Sequence, residues 1–373
     1  MDNYLGESIP KLGFGLMRLP KNGDDIDVEQ VKVMVDKFLA AGFKYFDTAY
    51  GYNDGASESA AKAALVDRYP RDSFYLATKL PAWMAKSEED AKQMFYTSLE
   101  RTGAGYFDFY LLHNLGPGRK ETFDKYGIWD FLAERKKEGL IKHLGFSMHD
   151  TAEALDAVLT EHPEAEFVQL QINYADWEDE KVQSRACYEV ARKHGKPVVI
   201  MEPVKGGSLS TLPEAAAAPL KAVQPDLSLA SWGVRFAASL EGLVTVLSGM
   251  STPEQMDNNI SYMKDFQPLN EQEYAAIAET VKVLKATPTV PCTACSYCTK
   301  GCPQDINIPG TFAAYNSYKV YDHLPSAKQS YGFALRGHGK AADCLECGQC
   351  ESVCPQGISI IEELKKASAI LDN

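Results

Sequence analysis

The first 291 residues contain one cysteine, Cys187, and nowhere does the chain carry an apolar run long enough to cross a bilayer. The first absence excludes a disulfide framework over most of the chain, and the second argues against a membrane-spanning helix. Positive charge is also scarce. With 38 Lys and Arg against 51 Asp and Glu, the formal charge of −13 repels phosphate backbones and anionic lipid heads, and no basic patch offsets it. Nucleic acid and membrane surfaces are therefore not expected as partners. The opening MDNYLGESIPKLGFG lacks the basic-then-apolar pattern of a secretory signal, so a cytoplasmic location is expected. Low-complexity segments are missing too, and 45% hydrophobic with 24% charged residues is ordinary for a folded protein.

A chain of 373 residues is too long for one compact core, and its cysteines show where it divides. Eight of nine fall between 292 and 354. Clustered thiols at a cytoplasmic address point to metal rather than disulfides. We expect a large domain over 1–286 and a small one over 287–373, the break falling at TPTVP (287–291), whose two prolines end a helix capped by Asn270.

From residue 12 to about 264, short continuously apolar runs alternate with amphipathic stretches. The strand candidates are LGFGLMR (12–18), KYFD (44–47), SFYLATK (73–79), FDFYLLH (107–113), KHLGFS (142–147), FVQLQIN (167–173), PVVIM (197–201) and LVTVLS (243–248). Runs of this kind suit parallel strands buried on both faces. Between the first two, Val28, Val31, Met34, Val35, Phe38 and Leu39 form a helical stripe with Asp27 as cap and Gly42 as stop. Eight βα units in about 250 residues match a (β/α)8 TIM barrel, with a doubly wound sheet as the alternative.

Three titratable residues close three successive strands: Asp47, Lys79 and His113, with Tyr52 five residues after Asp47 in DTAYGY. Singly these read as a cap, a surface charge, a core histidine and a packing ring. Together they are the tetrad of the aldo/keto reductases, and the chain resembles that family from IPKLGFGLMRLP through GFKYFDTAYGY, LATK, FDFYLLH, GLIKHLGFS and STPEQMDNNI, over about residues 9–265. The resemblance implies carbonyl reduction, or alcohol oxidation in reverse, on a small-molecule substrate. Tyr52 would be the proton donor, its pKa lowered by Lys79; Asp47 would hold Lys79 charged; His113 would orient the substrate oxygen. It also implies that Ser147 and Gln169 contact a nicotinamide carboxamide, although Met148 stands where the family commonly has Asn. In the last loop, Gly249, Met250 and Gln255 occupy the places of residues that hold a 2′-phosphate, and only Asn259 fits. A strong preference for NADPH is thereby weakened. Gly206, Gly207 and Gly249 are candidates for presenting backbone N–H groups to a phosphate, with turn glycines as the alternative.

The cysteines read C-x2-C-x2-C-x3-C-P twice, at Cys292, Cys295, Cys298, Cys302 and at Cys344, Cys347, Cys350, Cys354. This is the bacterial ferredoxin spacing, in which the fourth cysteine serves the other cluster. It assigns Cys292, Cys295, Cys298 and Cys354 to one [4Fe-4S] cube and Cys344, Cys347, Cys350 and Cys302 to a second. Zinc is the alternative, but nothing in its chemistry requires a third cysteine at x2 in both copies. The 41 residues between Cys302 and Cys344 include the helical TFAAYNSYKVYD, which makes the small domain a mostly α-helical ferredoxin-like one.

Clusters pass single electrons and nicotinamide passes hydride, so coupling them calls for a converter such as a flavin. The leading expectation is a reductase fed by an external ferredoxin or other one-electron donor, with NAD(P)H or a flavin, FMN being suited to a single phosphate site, in the barrel. The alternatives are an NAD(P)H-dependent reductase whose clusters are structural, and a redox-sensing module.

Overall fold

The computed structural model describes residues 5–116 and 118–373. Eight parallel strands close into a barrel: β1 Leu12–Gly15, β2 Tyr45–Asp47, β3 Tyr75–Leu80, β4 Phe107–Leu112, β5 Ile141–Met148, β6 Phe167–Gln171, β7 Val198–Met201 and β8 Leu243–Ser248. Each pairs with the next, and β1 pairs with both β2 (Phe14 with Phe46) and β8 (Leu12 with Val246). That closure leaves no sheet edge and rules out the doubly wound alternative.

The strands are buried on both faces, as their apolar runs require. The helix Val28–Ala40 buries Val31, Met34, Val35 and Phe38, each burial contributing ~1.5–3 kcal/mol. Asp27 caps it by accepting the Gln30 N–H at 3.0 Å, and Gly42 leaves it at φ 91°. One strand is shorter than the sequence suggests. LGFGLMR leaves the sheet after Gly15, and Leu16–Arg18 form a 3-10 turn because the Ser57 hydroxyl and Asn53 amide take the Leu16 and Met17 carbonyls, at 2.9 and 3.1 Å. The apolar pattern cannot register that change of partner.

Strands β5 and β6 approach closely at Gly145, where a Cβ would lie 2.4 Å from the Phe167 carbonyl oxygen. Gly145→Ala should therefore cost ~1–3 kcal/mol by overpacking, read as a lowered denaturation midpoint with an unchanged slope. An unchanged midpoint would mean that the barrel yields there.

By internal contacts the chain forms two compact units. One runs to Pro203, resumes over Gly233–Leu269 and contains all eight strands; the other joins Val204–Trp232 to Asn270–Asn373. Within the second, the helix Glu271–Ala286 starts with a capping box of Asn270 and Glu273, and Thr280 donates to the Ala216 carbonyl of the helix Glu214–Val223 at 2.9 Å. The rest of this unit is helical, with Ile306, Ile308, Phe312, Ile360 and Leu364 among its core residues. The Asn316 side chain clamps both backbone groups of Val290 at 2.8 Å, fixing the strand of chain that enters the first cysteine loop. Among the described residues no helix is long and apolar enough to cross a membrane.

Candidate active site and cysteine cavities

Asp47 ends β2, Lys79 stands one residue before the end of β3, and His113 follows β4. Tyr52 opens a tight turn, Tyr52–Gly55, in which Asn53 and Asp54 take positive φ. That turn is fixed from beneath. The Tyr50 N–H bonds to the Lys79 carbonyl, Thr48 and Ser57 share a 2.7 Å hydroxyl contact, and Arg101 donates to the Tyr50 carbonyl at 3.1 Å while pairing with Glu58. Glu58 is fully buried and also accepts from the Thr78 hydroxyl at 2.7 Å, so neither charge nor acceptor is stranded.

The Lys79 Nζ is buried and touches three oxygens: Asp47 Oδ1 at 2.5 Å, the Thr48 carbonyl at 2.8 Å and the Tyr52 hydroxyl at 3.4 Å. Three oxygen contacts match the three N–H donors of an ammonium. Burial pulls the Lys79 pKa down, but the Asp47 carboxylate and then Tyr52 outweigh it and hold the group charged. Because the Tyr52 oxygen accepts from Lys79, its own hydrogen is left to point toward a ligand.

The Tyr52 pKa ends up raised, which corrects the expectation of a lowered one. Burial is the largest cause; Lys79 opposes it as expected, and Asp47 and Glu202 add to the rise. The phenol is therefore held as an acid. His113 stands edge-on to Tyr52, ring centres 5.8 Å apart, and its pKa is pushed well down by burial first and then by Lys79, His149 and Arg119. It is a neutral imidazole. Its Nδ1 makes no hydrogen bond among the described residues.

The expected cofactor contacts are placed as follows. Ser147 is buried on β5, its hydroxyl accepting the Asn114 N–H at 2.8 Å, and Gln169 is buried beside it in register on β6 with its Oε1 unpartnered among the described residues. A buried amide oxygen without a donor calls for a ligand there. Asn259 is buried and engaged at both ends of its amide, donating to Ser248 and accepting from Tyr262. Met250 is buried, and Gln255 turns back to accept the Ser251 N–H, so neither presents a cation. Gly249 lies against Gly15 and Arg18, open on its Cβ side. Gly206 and Gly207 belong to the second unit: the Gly206 carbonyl accepts from Ser326, the Gly207 N–H bonds to the Val204 carbonyl, and Gly207 packs on His323.

In the second unit the cysteines line two cavities. Cys292, Cys295, Cys298 and Cys354 line one with Ile308, Phe312 and Ile360; Cys302, Cys344, Cys347 and Cys350 line the other with Ile306, Leu345 and Leu364. Each draws three cysteines from one motif and the fourth from the other. Among the described residues no three potential ligands converge on one metal-ion centre. A single zinc demands that convergence at ~2.3 Å, whereas a cube spreads its four sulfurs around a larger box. Left-handed residues at Ala294, Ser296 and Glu346 wrap the loops around the cavities, and the Glu346 N–H points at the Cys344 Sγ, 3.5 Å away. The walls and the donor set fit iron–sulfur cubes.

Residues 11–282 match the model of the aldo/keto reductase family, and residues 291–358 that of the 4Fe-4S dicluster domain. The chain belongs to the aldo/keto reductase family. A 4Fe-4S dicluster domain follows on its C-terminal side. Among curated proteins it is similar to aldo-keto reductase str7 of Strobilurus tenacellus, 32% identical over 55% of this chain and 62% of the relative, and to methylglyoxal reductase DkgA of Yersinia pestis, 32% identical over 38% and 46%. The matched stretches thus span less than two thirds of those relatives. Among solved structures, the holo form of aldo-keto reductase AKR11C1 from Bacillus halodurans superposes with TM-score 0.57 at 25% identity, covering 74% of this chain and 93% of that one. An aldo-keto reductase from Klebsiella pneumoniae in complex with NADPH shares the fold with TM-score 0.60 at 19% identity, over 74% and 94%.

The barrel mouth also holds side chains that sequence reasoning passed over. Glu202 follows β7 at φ 55°, its carbonyl accepting from the buried Asn173 amide at 3.2 Å, and it acts electrostatically on Tyr52. The rule that singled out Asp47, Lys79 and His113, a titratable residue just past a strand, would have found it. Trp83 and Arg119 carry no such signal, since they lie in loops whose path only the fold determines.

Proposed function

We propose that this reductase transfers hydride between a nicotinamide and a small carbonyl compound, with Tyr52 as proton donor. The observation that carries the reading is the arrangement of Lys79: an ammonium anchored by Asp47 and Thr48 that donates to Tyr52 and so leaves the phenol hydrogen free for a substrate oxygen. The nicotinamide supplies the hydride. Neutral His113 can donate a second hydrogen bond to the same carbonyl, fixing its orientation between two donors. Ser147 and Gln169 would hold the carboxamide.

Two [4Fe-4S] clusters would fill the cysteine cavities, passing electrons from an external one-electron donor in the cytoplasm. Joining that flow to hydride chemistry is the one argument for a flavin, FMN, as an additional group.

Titration of anaerobically purified protein with NADH, NADPH and FMN tests this reading. With neutral Met250 and Gln255 in the last loop, NADH should bind within ~10-fold of NADPH, because no charge-assisted contact from those positions rewards the 2′-phosphate. A preference for NADPH above ~100-fold would overturn the expected near-equality and place a 2′-phosphate contact at other positions, leaving the nicotinamide itself in place. Uptake of FMN with no nicotinamide binding would replace it by a flavin.

A further inference from the structure

The barrel mouth holds a cation that proton and hydride transfer leave unused. Arg119 lies six residues beyond His113, in the loop after β4, with its guanidinium 4.7 Å from the centre of the Trp83 ring. The Trp83 ring is in turn 5.4 Å from His113, and His113 is 5.8 Å from Tyr52. Four side chains therefore run in succession from the phenol to the guanidinium. Phe123, 6.1 Å behind the indole, backs it with an apolar wall.

Other arginines of this unit are committed to the fold. Arg68, Arg71, Arg101, Arg135 and Arg185 each hold a carboxylate, whereas Arg119 has none within ion-pair distance among the described residues. A guanidinium held over an indole ring is restrained in advance, and it carries a planar fork of N–H donors that matches a carboxylate. The charges felt at His113, from Lys79, His149 when protonated and Arg119, are all of the sign that attracts an anion.

We propose that Arg119, held by Trp83, binds a carboxylate of the substrate, so that the preferred substrates are short aliphatic oxo acids with the aldehyde and carboxylate at opposite ends. This rests on Tyr52 and His113 as the carbonyl site. A carboxylate adjacent to the carbonyl would lie against Tyr52 and His113 themselves, so a spacer of a few carbons is needed to pass the imidazole and indole. The reaction balances as in any such reduction. Two electrons arrive with hydride from the reduced nicotinamide and form the new C–H bond, while the Tyr52 proton forms the O–H bond and is restored from water. The product is the corresponding ω-hydroxy acid.

The test compares 4-oxobutanoate with butanal, which has the same carbon count without the charge. In the wild type kcat/KM should favour 4-oxobutanoate by ~10- to 100-fold, the worth of one charge-assisted bond, and Arg119→Gln should bring the ratio close to 1. Arg119→Lys, which keeps the charge but loses the planar fork, should fall between. Calorimetric titration with succinate supplies a readout independent of turnover: binding should weaken in Arg119→Gln by a similar factor. Equal losses for both aldehydes would mark Arg119 as merely structural and overturn the proposal, as would succinate binding that does not change. Should neither aldehyde react in the wild type, the carbonyl reductase reading fails and the succinate titration alone decides the arginine.

Discussion

Replacing Tyr52 by Phe should lower reductive turnover by ~10²- to 10⁴-fold, the usual loss on removing a positioned general acid, while nucleotide binding persists. The substitution takes away one oxygen and little else. Lys79 keeps Asp47 at 2.5 Å and the Thr48 carbonyl at 2.8 Å, so no buried charge is stranded, and the ring that packs on His113 stays. Lys79→Met should be far more disruptive to the fold, since it would leave the Asp47 carboxylate buried beside an aliphatic chain. The pH profile gives a second reading of the same assignment. Burial, Asp47 and Glu202 raise Tyr52 above the usual phenol value of 10.0, and burial with nearby cations lowers His113 below the usual 6.5. The donor form of Tyr52 is lost only as pH rises through that raised value, and His113 becomes charged only as pH falls through its lowered one. Reduction should therefore show no break near 6.5 or below 10. Unchanged turnover of Tyr52→Phe, on the substrate the wild type reduces, would show that this chain does not use the phenol as its acid.

Much of this site was legible in the sequence because barrel geometry converts strand ends into one place. Asp47, Lys79 and His113 are spread over 67 positions, yet each closes a parallel strand, and closure of the sheet brings those ends together. The cysteine spacing was legible for another reason: a cube fixes how far apart its ligands can be along a loop. What the sequence did not carry were balances and paths. The net rise of Tyr52 is a contest between burial and Lys79, and burial is a property of the closed mouth. The cation–π contact of Arg119 with Trp83 joins the loops after β4 and β3, whose course follows no period. The placement of Gly206 and Gly207 in the second unit, against His323 and Ser326, depends on contacts made over a hundred residues away in sequence.

The iron content should respond to cysteine loss by cavity rather than by motif. Protein purified without oxygen is expected to hold ~8 Fe and ~8 sulfide per chain, and Cys302→Ala should leave ~4 of each. Alanine is the better choice because a serine oxygen can stand in as a ligand. The decisive measurement is a pair of double variants. Cys302 lines the cavity of Cys344, Cys347 and Cys350, so Cys302→Ala with Cys347→Ala strikes one cavity twice and should still retain ~4 Fe. Cys302→Ala with Cys295→Ala strikes both cavities, because Cys295 shares the other with Cys292, Cys298 and Cys354, and should retain almost none. Sequence proximity makes the opposite forecast, since Cys295 and Cys302 belong to one motif and Cys347 to the other. The loss should also register as folding energy. The cavity walls include Ile306, Ile308, Phe312, Ile360 and Leu364, which are core residues of this unit, so a cavity without its cube leaves part of the core against empty space. If instead Cys302→Ala with Cys347→Ala empties the protein while Cys302→Ala with Cys295→Ala keeps ~4 Fe, each motif closes its own cluster and the crossed arrangement is wrong.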